Sequence, residues 1–160
     1  MNDAPGSGSS TYSVKITIPC LAEYVSIARL AILGVAGRMP FSYDEVEDVR
    51  LAVGEACTHA VERAAVQWLD AGAAGSDPSV SELRIDCIIN ESSLTIDICD
   101  NIPGGSPPTP RVDEEIALEE AGIDRQHLSA LLMEILVDEV KVRSQADGTC
   151  VRLVKYASQP

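Results

Sequence analysis

The sequence predicts an α+β fold, a two-layer α/β sandwich with helices on one face of a mixed, mostly antiparallel sheet. Three observations predict it. Five short segments alternate apolar and polar residues, three longer ones repeat apolar residues at helical spacing, and they follow the order β, α, α, β, β, long loop, α, β, β. Strands joined by short turns pair antiparallel. Helices with one apolar stripe bury it against a shared sheet face.

Tyr12 to Ile18 alternates, with Val14, Ile16 and Ile18 on one side, and Pro19 ends the strand. From about Ala22 to Arg38 the period is helical (Val25, Ala28, Leu30, Ile32, Val35), and Met39-Pro40 stops it. Ser42-Tyr43-Asp44-Glu45 reads as a capping box, with Phe41 placed to staple onto Val46. The helix it opens extends to about Leu69, with Val46, Val49, Val53, Cys57, Ala60 and Ala64 on one stripe. Leu83, Ile85, Cys87 and Ile89 alternate, Asn90-Glu91-Ser92 turns, and Leu94, Ile96 and Ile98 alternate again, which predicts a hairpin. Residues 101–120 form a long connection. Asp124 then caps a helix carrying Leu128, Leu131, Leu132 and Ile135, and Val140 to Arg143, Asp147-Gly148 and Cys150 to Tyr156 form a closing hairpin.

Length and composition fit one domain over residues 12–157 behind a Gly/Ser-rich leader, residues 1–11. With 46% apolar but only 4% aromatic residues, the core must be aliphatic. A formal net charge of −13 repels phosphate backbones and disfavours direct nucleic-acid binding. No apolar run is long enough to span a bilayer, and the leader lacks the basic and apolar regions of a signal peptide, so no membrane association is expected. Five cysteines without metal-ligand spacing are expected to be free, mostly buried thiols, which predicts a cytoplasmic protein.

Two groups of residues carry candidate chemistry. Glu55 and His59 lie four apart and so share a helix face, with Glu62 a turn further on. They read either as a reaction site or as solvated residues on the polar side of the helix. A zinc site at Glu55, His59 and Glu62 would need a further ligand, for which His127 is the only other histidine. Asp100, at a strand end before Asn101, Ile102 and Pro103, reads on its own as a turn former.

Three stretches resemble the anti-sigma-B factor and serine-protein kinase family of the histidine-kinase-like ATPase superfamily. They are Tyr24-Val25-Ser26-Ile27-Ala28-Arg29-Leu30, the run from Tyr43 through Gly54-Glu55-Ala56-Cys57-Thr58, and Leu132-Met133-Glu134 with Asp138-Glu139-Val140. The likeness spans about Tyr12 to Tyr156. It implies a Bergerat-type fold, a homodimer, and a role in stress response and transcription regulation. The implied partners are a sigma factor and an anti-anti-sigma factor, and the implied cofactors are ATP and Mg²⁺. Glu55 takes the general-base position, His59 the position of the Mg²⁺-binding Asn, and Asp100 that of the adenine acceptor. Arg29 takes that of an arginine touching both protein partners.

The motifs depart from the family pattern at three places. His59 is a poor Mg²⁺ ligand, because the ion prefers oxygen donors. Ile102 replaces a glycine beside the adenine, leaving Gly104 and Gly105 as the nearby substitutes. Gln126, His127 and Ser129 replace the glycines of the ATP lid, where bare backbone amides would wrap the phosphates. The expectation is a protein that sequesters a general-stress sigma factor with ATP binding weakened or lost. The alternative is an active serine/threonine-protein kinase acting on the anti-anti-sigma factor.

Overall fold

The computed structural model describes residues 10–70, 81–103 and 125–158. Gly104, Gly105 and Asp124, most of the long connection and nearly all of the leader lie outside the described residues, as do the side chains of Gln126 and His127. The chain runs β1 (Tyr12–Pro19), a 3-10 turn (Ala22–Tyr24), α1 (Val25–Ala36), α2 (Tyr43–Asp70), β2 (Glu82–Ile89), β3 (Ser93–Asp100), α3 (Arg125–Leu136), β4 (Glu139–Gln145) and β5 (Gly148–Tyr156). Each predicted element is present in the predicted order.

The capping box forms as the sequence spells it. Ser42 N–H donates to Glu45 Oε2 at 2.6 Å, and Glu45 N–H donates to Ser42 Oγ at 3.2 Å. Glu45 Oε1 also accepts from Ser158 Oγ at 2.6 Å, tying the C-terminal tail to the start of α2. These hydrogen bonds, that from Ser158 foremost, push the Glu45 carboxyl down to about 2.

The five strands form one sheet in the order β1-β2-β3-β5-β4. All four ladders are antiparallel, which corrects the expectation of a mixed sheet. The chain leaves β3, passes through α3 and returns on the edge strand β4, and the closing hairpin folds β5 back between β4 and β3. No parallel neighbour arises from that path. The helices cover one face, with α2 packed between α1 and α3.

The core is aliphatic. Ile32, Val49, Val53, Leu83, Ile85, Leu94, Ile96, Met133 and Leu153 are almost completely buried. The α2 stripe points inward as its spacing predicts, through Val49, Val53, Cys57, Ala60 and Ala64. Helix α3 turns differently: Leu128, Leu131, Leu132 and Ile135 are exposed, and Ala130, Met133, Leu136 and Val137 face in. Lys155 Nζ donates to the Leu136 carbonyl at 3.0 Å and closes the C-terminal end of α3.

Cys20, Cys57 and Cys87 are buried thiols, as expected. Burial pushes Cys57 up to about 12, and Cys20 and Cys87 up to about 11. Cys99 and Cys150 depart from the expectation. The β3–β5 register sets them directly opposite one another, 4.1 Å apart at Cα, and their sulfurs are joined in a disulfide. Register decides this pairing, and nothing in their spacing along the chain announces it.

Candidate functional site

The candidate site lies where the middle of α2 passes the end of β3, the start of β5 and the first turns of α3. Asp100 closes β3, and its backbone approaches Gly148 so closely that an added Cβ there would fall on the Asp100 carbonyl oxygen. Only glycine fits this crossing of chains. Asp100 Oδ1 accepts from Ile102 N–H and from Thr149 N–H, each at 3.1 Å. The first bond makes Asp100 a turn former at the strand end, and the second ties the end of β3 to the start of β5.

The other carboxylate oxygen, Oδ2, is paired with the Arg63 guanidinium reaching across from α2. The side chains are 1% exposed for Asp100 and 10% for Arg63, so this ion pair is taken out of water. A second Arg63 nitrogen, Nη1, lies at hydrogen-bond distance from His59 Nδ1. His59 is itself only 3% exposed. It does not stand on a solvated face, as one reading of the sequence had it, but is packed inward behind Arg63.

Glu55, a turn before His59, is half-buried and accepts from Ser129 Oγ at 2.8 Å. Ser129 stands at one of the expected lid-glycine positions. Its hydroxyl therefore joins α3 to the residue at the general-base position. The segment leaving β3 is pinned to α2 as well, by Gln67 Nε2 donating to the Pro103 carbonyl at 3.2 Å.

Arg29 of α1 lies flat across α2 at Gly54. A Cβ added at Gly54 would collide with the Arg29 guanidinium, so the glycine makes the bed in which this arginine rests. Arg29 Nε is buried with no hydrogen-bond partner among the described residues. The candidate partner-binding arginine is thus next door to Glu55 and held in one place by packing.

The structure links His59 to Asp100 through Arg63, and Glu55 lies one turn before His59 on α2. Glu55, His59 and Glu62 do not gather into a metal centre: among the described residues no three His, Cys, Asp or Glu side chains could hold an ion. Gly104 and Gly105 lie outside the described residues. Sequence reasoning missed Arg63, Ser129 as a partner of Glu55, Gly54 and Thr149. Arg63 left one usable signal, since it falls on the face already marked by Glu55 and His59 and is the basic residue there.

An adenine nucleotide with Mg²⁺ does not fit the side chains as they stand. The carboxylate that would accept from the adenine amine already serves two backbone amides and a guanidinium. Ile102, 3% exposed, fills space that a glycine would leave to the base. His59 is engaged with Arg63, and Ser129 places a side chain where a phosphate-cradling loop needs bare amides.

A concavity of about 320 Å³ opens at the same end of the sheet, lined by Thr17, Arg84, Cys99 and Cys150 and also by Asp100 and Thr149. The strand register puts the first four in one transverse row, out of step with the buried Ile98 and Asp100. The row therefore belongs to the sheet face away from Glu55.

The model of the histidine kinase-like ATPase domain matches residues 18–155. The chain is 38% identical to the serine-protein kinase RsbW of Bacillus velezensis over 145 residues, covering 89% of this chain and 84% of the relative. It is 37% identical to RsbW of Bacillus subtilis over the same shares, and 32% identical to RsbW of Listeria monocytogenes over 91% of this chain and 88% of that one. Among solved structures it is similar to the RsbU and RsbW domains of Rv1364c from Mycobacterium tuberculosis. The TM-score is 0.63 at 15% identity, over 93% of this chain and 33% of that one, which speaks for the fold alone. With a family model matched across most of its length and relatives above 30% identity, the chain belongs to the RsbW serine-protein kinase family of histidine kinase-like ATPase domains.

Proposed function

We propose that this protein is an anti-sigma factor that sequesters a general-stress-type sigma factor without using ATP, and that an anti-anti-sigma partner releases it by competition. The observation that carries the reading is the internal satisfaction of both site carboxylates, Asp100 by Arg63 and two amides, and Glu55 by Ser129. A site whose charged groups already have protein partners offers little to a triphosphate, while binding a polypeptide requires only the outer surface. Arg29, positioned over Gly54, is the proposed contact for both partners. The resident assembly is a cytoplasmic homodimer in this reading. Its acidic character, net −13, suits basic protein surfaces and opposes direct contact with nucleic acid. Among the described residues no helix is long and apolar enough to cross a membrane.

Isothermal titration of the cognate sigma factor tests the proposal, with Arg29→Glu as the control. Wild type should bind, and the variant should lose binding with its circular dichroism unchanged. Equal affinity in both would remove Arg29 from the interface, and no binding by wild type would remove the anti-sigma role.

One observation favours a second reading. Glu55 is a carboxylate hydrogen-bonded to a serine hydroxyl at 2.8 Å, the contact a general base makes with the hydroxyl it deprotonates. An active serine kinase would transfer labelled phosphate from ATP to an anti-anti-sigma protein, and Glu55→Ala would abolish the transfer. Absence of any label transfer removes this reading.

A further inference from the structure

We infer that Arg63 is a built-in ligand of the Asp100 subsite and the residue that decides whether the subsite can take an amino-heterocycle. The inference rests on the family position of Asp100, at the base-binding end of the site, and not on sigma-factor binding.

The edge of a guanidinium presents N–H donors to a carboxylate, as an exocyclic amine of a purine does, but with a full positive charge. The Asp100 carboxylate is 1% exposed and receives its two backbone bonds through Oδ1 alone. Oδ2 is the oxygen left for a ligand, and the Arg63 guanidinium holds it. A neutral amine must displace a charged, desolvated partner to reach Oδ2. It would leave Arg63 with its contact to His59 alone, its Nε already lacking a hydrogen-bond partner among the described residues. The exchange replaces a charge-assisted bond with a neutral one, and the purine loses.

The geometry also explains why Arg63 is where it is. It stands on α2 four residues after His59, so one helix face delivers both the guanidinium and the imidazole that backs it. Ile102, buried beside the turn, closes the adjoining space.

The test uses the full chain with Arg63→Ala and Arg63→Gln, probed with methylguanidinium chloride and with adenosine, which needs no phosphate cradle or Mg²⁺. Arg63→Ala should melt about 6 °C or more below wild type. Methylguanidinium should restore at least half of that loss in Arg63→Ala and none in Arg63→Ala/Asp100→Asn. Adenosine should bind Arg63→Ala at least about tenfold more tightly than it binds wild type. If Arg63→Ala does not fold, Arg63→Gln, which removes the charge and shortens the side chain, carries the adenosine comparison, with a gain in the same direction expected.

Any of three results overturns the inference: a folded Arg63→Ala that melts with wild type, no rescue by methylguanidinium, or equal adenosine affinity with and without Arg63. Sigma-factor titration of the same samples separates this inference from the functional proposal. Failure to bind sigma with the rescue intact sinks the anti-sigma reading alone, and sigma binding without rescue sinks the Arg63 assignment alone.

Discussion

Asp100→Asn isolates the charge of the carboxylate at the centre of the site. The amide keeps an oxygen for the Ile102 and Thr149 N–H groups but removes the negative charge that faces Arg63. Breaking a buried ion pair from one side costs about 3–5 kcal/mol, because the remaining ion is left without compensation. Arg63 is 10% exposed and can turn slightly toward water, so the lower end applies, about 3 kcal/mol. In a chain of 160 residues each kcal/mol moves the melting temperature by about 2–4 °C, which gives a fall of about 6–12 °C. Asp100→Ala also strands the N–H groups of Ile102 and Thr149, two residues that are 3% and 1% exposed, and should lose about 2 kcal/mol more. Thermal and urea unfolding of both variants, followed by far-UV circular dichroism, measures these losses. An Asp100→Asn protein within about 1 kcal/mol of wild type would refute the argument, because Asp100 would then be spare and open to a ligand.

Gly54→Ala should raise helix stability by at most about 1 kcal/mol while displacing Arg29, so urea unfolding should change little and sigma-factor affinity should fall. An Ellman titration in guanidinium without reductant should count the three thiols Cys20, Cys57 and Cys87, and prior reduction should add Cys99 and Cys150. Because burial raises the three folded-state thiols to about 11–12, the unfolded chain ionises first and stability should decline as pH rises past about 9. Glu45 behaves in the opposite sense. Its folded carboxyl is lowered to about 2, so its stabilisation is complete above about pH 4.5 and is lost as pH falls from there toward 2. Glu45→Gln should flatten that acid limb and cost about 1 kcal/mol at neutral pH, a small effect because the group sits near water.

The architecture was legible where one local signal settles one local structure. The capping box, the α2 stripe and both hairpins depend on neighbours within a few residues, and they stand where the sequence puts them. Features set by distant contacts were not legible. The antiparallel placement of β5 beside β3 and the pairing of Cys99 with Cys150 depend on strand order and register. The inward face of α3 depends on how α2 meets it, so the leucines that mark its period stay outside and Met133 goes in. The same division holds at the site. Glu55, His59 and Asp100 were named from motif positions, but what each one touches was not legible. Asp100 was open between ligand and turn former, and its bonds to Ile102 and Thr149 make it a turn former. Arg63 lies 37 residues from Asp100 and Ser129 lies 74 from Glu55, distances over which no periodicity speaks.

The most direct measurement is calorimetric titration of the wild-type chain with Mg·ATP. With Asp100 held by Arg63 and Glu55 by Ser129, the account predicts no saturable heat up to millimolar nucleotide. Micromolar binding that disappears in Asp100→Asn would contradict it, since the nucleotide would then be taking the oxygen assigned here to arginine.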